Sequence, residues 1–309
     1  MSDDLDAIHV EDVKKYYGAT KAVDGISFSV RQGEIFGMLG PNGAGKSTTI
    51  EMIEGLRAPD SGSITVLGMK QPQQKQAIKE RIGIQLQTTA LYPLLTVTEI
   101  LDLFHTFYPN HATIPTDDLI RMVNLEEKRA TRSKNLSGGQ QQRLSVALAL
   151  VNDPEIVFLD EPTTGMDPQA RRQLWDVIRE LRGRGKTILM TTHYMEEAQE
   201  LCDRIAIVDH GKILEMDTPA ALIRKFFQDV AIEFEDGITD VDAYKNLPGV
   251  INASIIDGKV TLHSNDVPQT MGALLSRERS GTANFRDLNV RNATLEDVFL
   301  KLTGRALRD

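Results

Sequence analysis

The segment Gly40-Pro41-Asn42-Gly43-Ala44-Gly45-Lys46-Ser47-Thr48 constrains the fold more than any other stretch of the chain. It follows the apolar run Ile35-Phe36-Gly37-Met38-Leu39 and leads into Ile50, Met52 and Ile53. A short buried strand, a glycine-rich turn and a helix starting at about Lys46 are therefore expected. The spacing is G-x-x-x-x-G-K-[ST], the pattern of a loop that wraps phosphate. Glycines let backbone N–H groups converge on phosphate oxygens, and the helix that follows directs its positive end at the anion. Lys46 would bridge the terminal phosphates, and the Ser47 hydroxyl would ligate Mg²⁺.

The rest of the chain reads as an α/β core interrupted by helices. Strands are expected at Ala7 to Val13, Ile26 to Val30 and Ser63 to Leu67, with Tyr16-Tyr17-Gly18 and Gly25 as breaks. The polar run from Gln71 to Gln76 reads as a surface connector. Helical spacing follows at Val97 to Phe107, Asp117 to Val123 and Gln140 to Val151. Strands return at Ile156 to Leu159, Thr187 to Met190, Arg204 to Val208 and Lys212 to Met216, the last two joined by the tight turn Asp209-His210-Gly211. Beyond about Leu222 a smaller pattern begins. It holds an alternating strand at Val230 to Phe234, a hairpin around Asp257-Gly258, and helices near Pro268 to Ser276 and Thr294 to Leu302. We expect domains at 1–224 and 225–309, with helices inserted over about 88–153.

Two further segments carry chemistry. Ile156-Val157-Phe158-Leu159-Asp160-Glu161 is an apolar strand ending in two acids, which would stand at the carboxyl edge of a sheet, where open α/β folds bind ligands. Alone, such a pair reads as a solvated strand end. Beside a phosphate loop, Asp160 suits a Mg²⁺ acid and Glu161 a base positioning the attacking water. In Leu136-Ser137-Gly138-Gly139-Gln140, Ser137 and Gln140 have the spacing of a capping box, and two glycines in the first turn bare N–H groups for a second anion.

The order of these motifs resembles the nucleotide-binding subunit of an ATP-binding cassette (ABC) transporter over about residues 5 to 220. The phosphate loop is followed by Gln87, the signature 136–140, the acid pair, Gly165-Met166-Asp167 and His193. Met166 stands where the family has leucine, a swap that conserves volume. The resemblance implies a phosphate-loop NTPase core of ABC type, with an antiparallel β subdomain, an inserted helical subdomain and a small C-terminal α/β domain. It implies ATP and Mg²⁺ as cofactors. The nucleotide would be held by Tyr17, by Gly40, Pro41, Asn42, Gly43, Ala44, Gly45, Lys46, Ser47 and Thr48, and by Ser137, Gly138, Gly139 and Gln140. Tyr17 would stack on adenine, though it also reads as a strand-end core aromatic. Catalysis would rest on Glu161, His193, Gln87 and Lys46, and the metal on Ser47, Gln87 and Asp160. His193 would contact the γ-phosphate. In the family the signature of one subunit closes over ATP held by the other, so a homodimer is implied, with Asp167 at its contact.

The ending Leu295-Glu296-Asp297-Val298-Phe299-Leu300-Lys301-Leu302-Thr303-Gly304 is similar to that of ABC-2-type exporter ATPases, and it also reads simply as an amphipathic helix. Neither this chain's apolar runs nor its acidic N-terminus suggests a membrane span or a signal peptide. A separate integral-membrane permease is therefore expected as partner, with the chain peripheral on the cytoplasmic face. The single Cys202 rules out an internal disulfide, and a net charge of −9 argues against nucleic-acid binding. Two rivals are weighed. A soluble ABC ATPase that remodels another protein would share every motif. A guanine-dependent switch would need Asn-Lys-x-Asp after the loop, whereas Thr20-Lys21-Ala22-Val23-Asp24 precedes it. The C-terminal domain lacks a catalytic constellation and is expected to be regulatory or dimer-supporting.

Overall fold

The computed structural model describes residues 6–86, 91–109, 112–227, 230–236, 241–256, 258–281, 283 and 285–304. The chain divides into two compact units, Met1–Pro219 and Ala220–Asp309.

In the first unit, β1 (Asp6–Tyr17) and β2 (Thr20–Arg31) form one long antiparallel hairpin. β1 extends past Val13 to Tyr17 and β2 runs through Gly25, because the ladder absorbs the interruptions as register shifts, while the break expected at Tyr16-Tyr17-Gly18 becomes the hairpin turn at Gly18. Asp12 and Gly25 both take positive φ there, and a Cβ on Gly25 would stand 2.9 Å from Asp12 Oδ1. Next come β3 (Ile35–Leu39), α1 (Lys46–Ile53), β4 (Ser61–Val66), β5 (Met69–Lys70), α2 (Lys75–Lys79) and β6 (Ile82–Gln85). The polar connector thus ends in a short helix. The helices α3 (Val97–His105), α4 (Thr116–Met122) and α5 (Gly138–Ala149) lie between β6 and β7 (Ile156–Asp160). The unit continues through α6 (Pro168–Gly183), β8 (Thr187–Thr192), α7 (Met195–Leu201), β9 (Arg204–Asp209) and β10 (Lys212–Asp217).

These strands make two sheets. The antiparallel one has the order β2-β1-β4-β5. The central one has the order β10-β9-β3-β8-β7-β6, parallel except for β10 at its edge. All five residues of β3 and all six of β8 are buried, as strands covered on both faces require. One apolar core joins the antiparallel sheet to α1 and a face of the central sheet, from Ile8, Val10 and Phe28 through Ile50 and Ile53 to Phe158 and Val208. Register decides the site. Leu39 pairs with Thr192, and Thr191 pairs with Asp160, so the carboxyl ends of β3, β8 and β7 lie level.

α8 (Pro219–Phe226) opens at the division between the units, so the boundary expected at 224/225 falls inside a helix. The second unit holds β11 (Val230–Glu235), α9 (Asp242–Lys245), β12 (Val250–Ile256), β13 (Lys259–Ser264), α10 (Val267–Arg279), β14 (Arg286–Asn292) and α11 (Leu295–Thr303). Its antiparallel sheet, β12-β13-β11-β14, buries Ile232, Phe234, Val260 and Leu262 with Tyr244 and Leu274. The polar sequence of β14 showed no strand pattern; pairing with β11 makes it one.

Candidate nucleotide site

At the level edge of the central sheet the turn 40–45 has room for backbone alone at Gly40 and Gly45. A Cβ on Gly40 would lie 2.2 Å from the Val208 carbonyl oxygen, and one on Gly45 2.2 Å from that of Ala22. Gly45 also holds φ +103°, a conformation side chains rarely adopt. The turn His210-Gly211 braces the same loop. Gly211 N–H donates to Ala44 O at 2.9 Å, and Asp24 N–H donates to Gly211 O at 2.8 Å.

Lys46 is buried at the start of α1, and its Nζ donates to Gly40 O at 2.7 Å and Pro41 O at 3.2 Å. Burial pulls its pKa down, opposed by the carboxylate of Glu161, whose Oε1 lies 3.5 Å from Nζ. Ser47 Oγ donates to Asp160 Oδ1 at 3.2 Å, and the Thr191 hydroxyl donates to the same oxygen. Burial pushes the Asp160 pKa up, and these two hydroxyls partly offset it. Glu161 takes φ +47°, in the left-handed region, which turns its side chain back over the loop. Its Oε2 accepts from Thr164 Oγ1 at 3.3 Å and lies 3.3 Å from His193 Nδ1, a contact without hydrogen-bond geometry.

A cleft of about 400 Å³ runs over this loop from Tyr17 and Ala22 at one end to Glu161 at the other. Tyr17 is 43% exposed, so its ring is not a core aromatic. The Arg57 guanidinium lies 5.4 Å from its centroid. Ser47 and Asp160 offer hard oxygen donors of the kind Mg²⁺ takes alongside phosphate oxygens, so these residues fit a nucleotide-borne Mg²⁺. Gln87, expected at the metal and the attacking water, lies outside the described residues.

The structure does not bring the signature into this cleft. Ser137 caps α5 reciprocally with Gln140: Gln140 N–H donates to Ser137 Oγ at 3.3 Å, and Ser137 N–H donates to Gln140 Oε1 at 3.0 Å. Gly138 meets nothing where its Cβ would stand, whereas a Cβ on Gly139 would lie 2.9 Å from Ala170 Cβ. Asp167 caps α6 through the Ala170 N–H at 2.9 Å.

Sequence reasoning passed over two residues here. Thr191 is fully buried between Asp160 and Glu161, and the available signal was a pair of threonine hydroxyls following the apolar run Ile188-Leu189-Met190. Glu54 is 1% exposed at the end of α1, and neither carboxyl oxygen has a hydrogen-bond partner. Burial, with Asp160 and Glu51 nearby, pushes its pKa up to about 8.

Residues 23–164 match the family model described as ABC transporter. Over 306 residues the chain is 41% identical to the Nod factor export ATP-binding protein I of Paraburkholderia xenovorans (strain LB400), covering 98% of this chain and 99% of that protein. It is 37% identical to the linearmycin resistance ATP-binding protein LnrL of Bacillus subtilis (strain 168), covering 98% and 100%. Among solved structures it resembles an ATP-binding subunit of an ABC transporter, with a TM-score of 0.63 at 29% identity over 71% of this chain and 93% of that one. It also resembles an ATP-binding cassette solved as a dimer in a post-hydrolysis state with ADP and Pi, with a TM-score of 0.62 at 27% identity over 68% and 98%.

Proposed function

The chain belongs to the ATP-binding subunits of ABC transporters and is an ATPase, and on that premise we propose that two copies of it drive export through a separate ABC-2-type permease. One observation carries the chemistry: at one sheet edge Ser47 reaches Asp160 at 3.2 Å, while Lys46 and His193 lie 3.5 and 3.3 Å from the two carboxylate oxygens of its neighbour Glu161. The names of the relatives, Nod factor export and linearmycin resistance, support the direction of transport.

In this reading Lys46 exchanges its two carbonyl partners for terminal phosphate oxygens, and the loop N–H groups hold the remaining phosphate charge. Ser47 and Asp160, with Gln87, would hold Mg²⁺, which when bound would neutralise charge on the transferred phosphoryl group. Glu161 orients the attacking water and accepts its proton at a carboxylate oxygen. His193 contacts the γ-phosphate, and Tyr17 stacks on the base. Because Ser137–Gln140 lie outside the chain's own cleft, they cap the nucleotide of a second copy. A dimeric cassette among the structural neighbours supports that arrangement. Among the described residues no helix is long and apolar enough to cross a membrane, and the chain attaches to the cytoplasmic face through the permease. The second unit supports the dimer or regulates it. A chain ending at Pro219 should keep ATP binding and lose dimerisation or coupled transport.

The test is Glu161→Gln, assayed beside purification from its host in mild detergent. The variant should bind ATP and lose roughly 10²–10⁴-fold in turnover. The wild type should co-purify with a stoichiometric multi-span membrane protein. Undiminished turnover removes Glu161 from the mechanism. A chain recovered with soluble partners alone overturns the transporter coupling.

A further inference from the structure

The His193 imidazole faces Glu161 without hydrogen-bond geometry, so something other than that bond must set the ring's orientation. Next to it, the Tyr194 ring lies 4.2 Å away, centroid to centroid, tilted by 41°. On the tyrosine ring sits the guanidinium of Arg171, with its central carbon 4.4 Å from the centroid, well inside cation–π range. Arg171 Nη1 lies 3.9 Å from Glu196 Oε2, and its buried Nε has no hydrogen-bond partner. The arginine is thus committed to the ring and to the first turn of α7.

Two hydrogen bonds tie down the segment that carries this stack. Tyr194 N–H donates to Thr192 Oγ1 at 2.9 Å, which holds the turn out of β8. Trp175 Nε1 on α6 donates at 3.1 Å to Glu197 Oε1 on α7, a carboxyl fully buried between the two helices. Arg171 itself follows Ala170, the residue that abuts Gly139 of the signature helix.

We propose that Tyr194 is a positioning residue, its ring clamped by Arg171 so that the His193 imidazole is held against Glu161. The proposal rests on the roles read above for His193 and Glu161. A free histidine side chain samples several rotamers, and clamping it removes that freedom before the nucleotide arrives. Tyr194 acts through His193 and touches no substrate.

ATP hydrolysis by the full chain tests it. Tyr194→Ala and Arg171→Ala should each lower kcat by about ten- to a hundredfold, the scale of a misplaced catalytic group, with KM for ATP moving less than about twofold. Tyr194→Phe, which keeps the ring, and Arg171→Lys, which keeps a cation over it, should restore most of the rate. Tyr194→Leu keeps apolar bulk without a π face; it should fold, with an unchanged melting curve, and remain slow. Adding Tyr194→Ala to His193→Ala should cost nothing further, since the clamp would have no ring to hold. Full turnover in Tyr194→Ala or Tyr194→Leu beside a slow His193→Ala overturns the clamp alone. So does a double variant whose losses multiply. Full turnover in His193→Ala removes the histidine's role, and the clamp with it.

Discussion

Thr191 and Glu161 are joined by a 2.9 Å hydrogen bond, from the backbone N–H of the acid to the hydroxyl of the threonine, across two neighbouring parallel strands. The same hydroxyl donates to Asp160. One buried side chain therefore holds both acids and pins the left-handed backbone at Glu161.

Thr191→Val keeps the shape and removes the hydroxyl. It leaves a buried N–H and a buried carboxylate short of a partner, at a cost of about 1–3 kcal/mol. We expect a lower urea midpoint and a kcat reduced more than the ATP affinity. A variant as stable and as fast as wild type would show that the strand register alone holds the acids.

Lys46→Ala should act on binding. The amine lies under the loop with two carbonyl partners, and its charge-assisted bonds to phosphate are worth about 1.5–3 kcal/mol. ATP affinity should fall roughly tenfold to a hundredfold, as read by titration calorimetry. Unchanged affinity contradicts the role.

Gly45→Ala tests the loop's geometry. The new methyl would stand 2.2 Å from the Ala22 carbonyl oxygen on a backbone at φ +103°. Backbone on both sides cannot yield as a flexible side chain would, so the loop should open and ATP binding should be lost. Gly43→Ala, with nothing within 4 Å of the added methyl, carries the conformational penalty alone and should be milder.

Glu54 makes stability depend on pH. Its folded pKa is raised from 4.5 to about 8, so between those values the folded chain binds more protons than the unfolded one. Stability contributed by this group therefore falls as pH rises through that window. Glu54→Gln should flatten the slope, with a gain over wild type at pH about 8.5 on the order of a few kcal/mol that vanishes only below about pH 4. Equal slopes for the two proteins in denaturant melts at both pH values would exclude this role for Glu54.

Much of the site was legible in the sequence because its signals are local. The loop from Gly40 to Thr48, the Ser137/Gln140 capping box and the acids ending β7 each arise within a few residues, from backbone freedom, cap spacing and strand periodicity. The same holds for the turn at His210-Gly211, though its bracing of the phosphate loop does not show in local sequence. The strands β1 and β2 read too short, since a bulge looks like a break until a partner strand is beside it. β14 did not read as a strand at all, since its pairing with β11 outweighs its polar composition.

Local chain chemistry sets a glycine-rich turn of phosphate-binding pattern between a buried strand and a helix, because glycine conformational freedom and helix polarity act within one turn of chain. Which side chains from distant strands gather beside that turn is a matter of tertiary packing. Sheet order sets β8 between β3 and β7, and only that order brings His193 to Glu161, Thr191 to Asp160 and Asp160 to Ser47. Neighbours across a parallel sheet are chosen by the shared burial of whole strands, a property no stretch of residues carries alone.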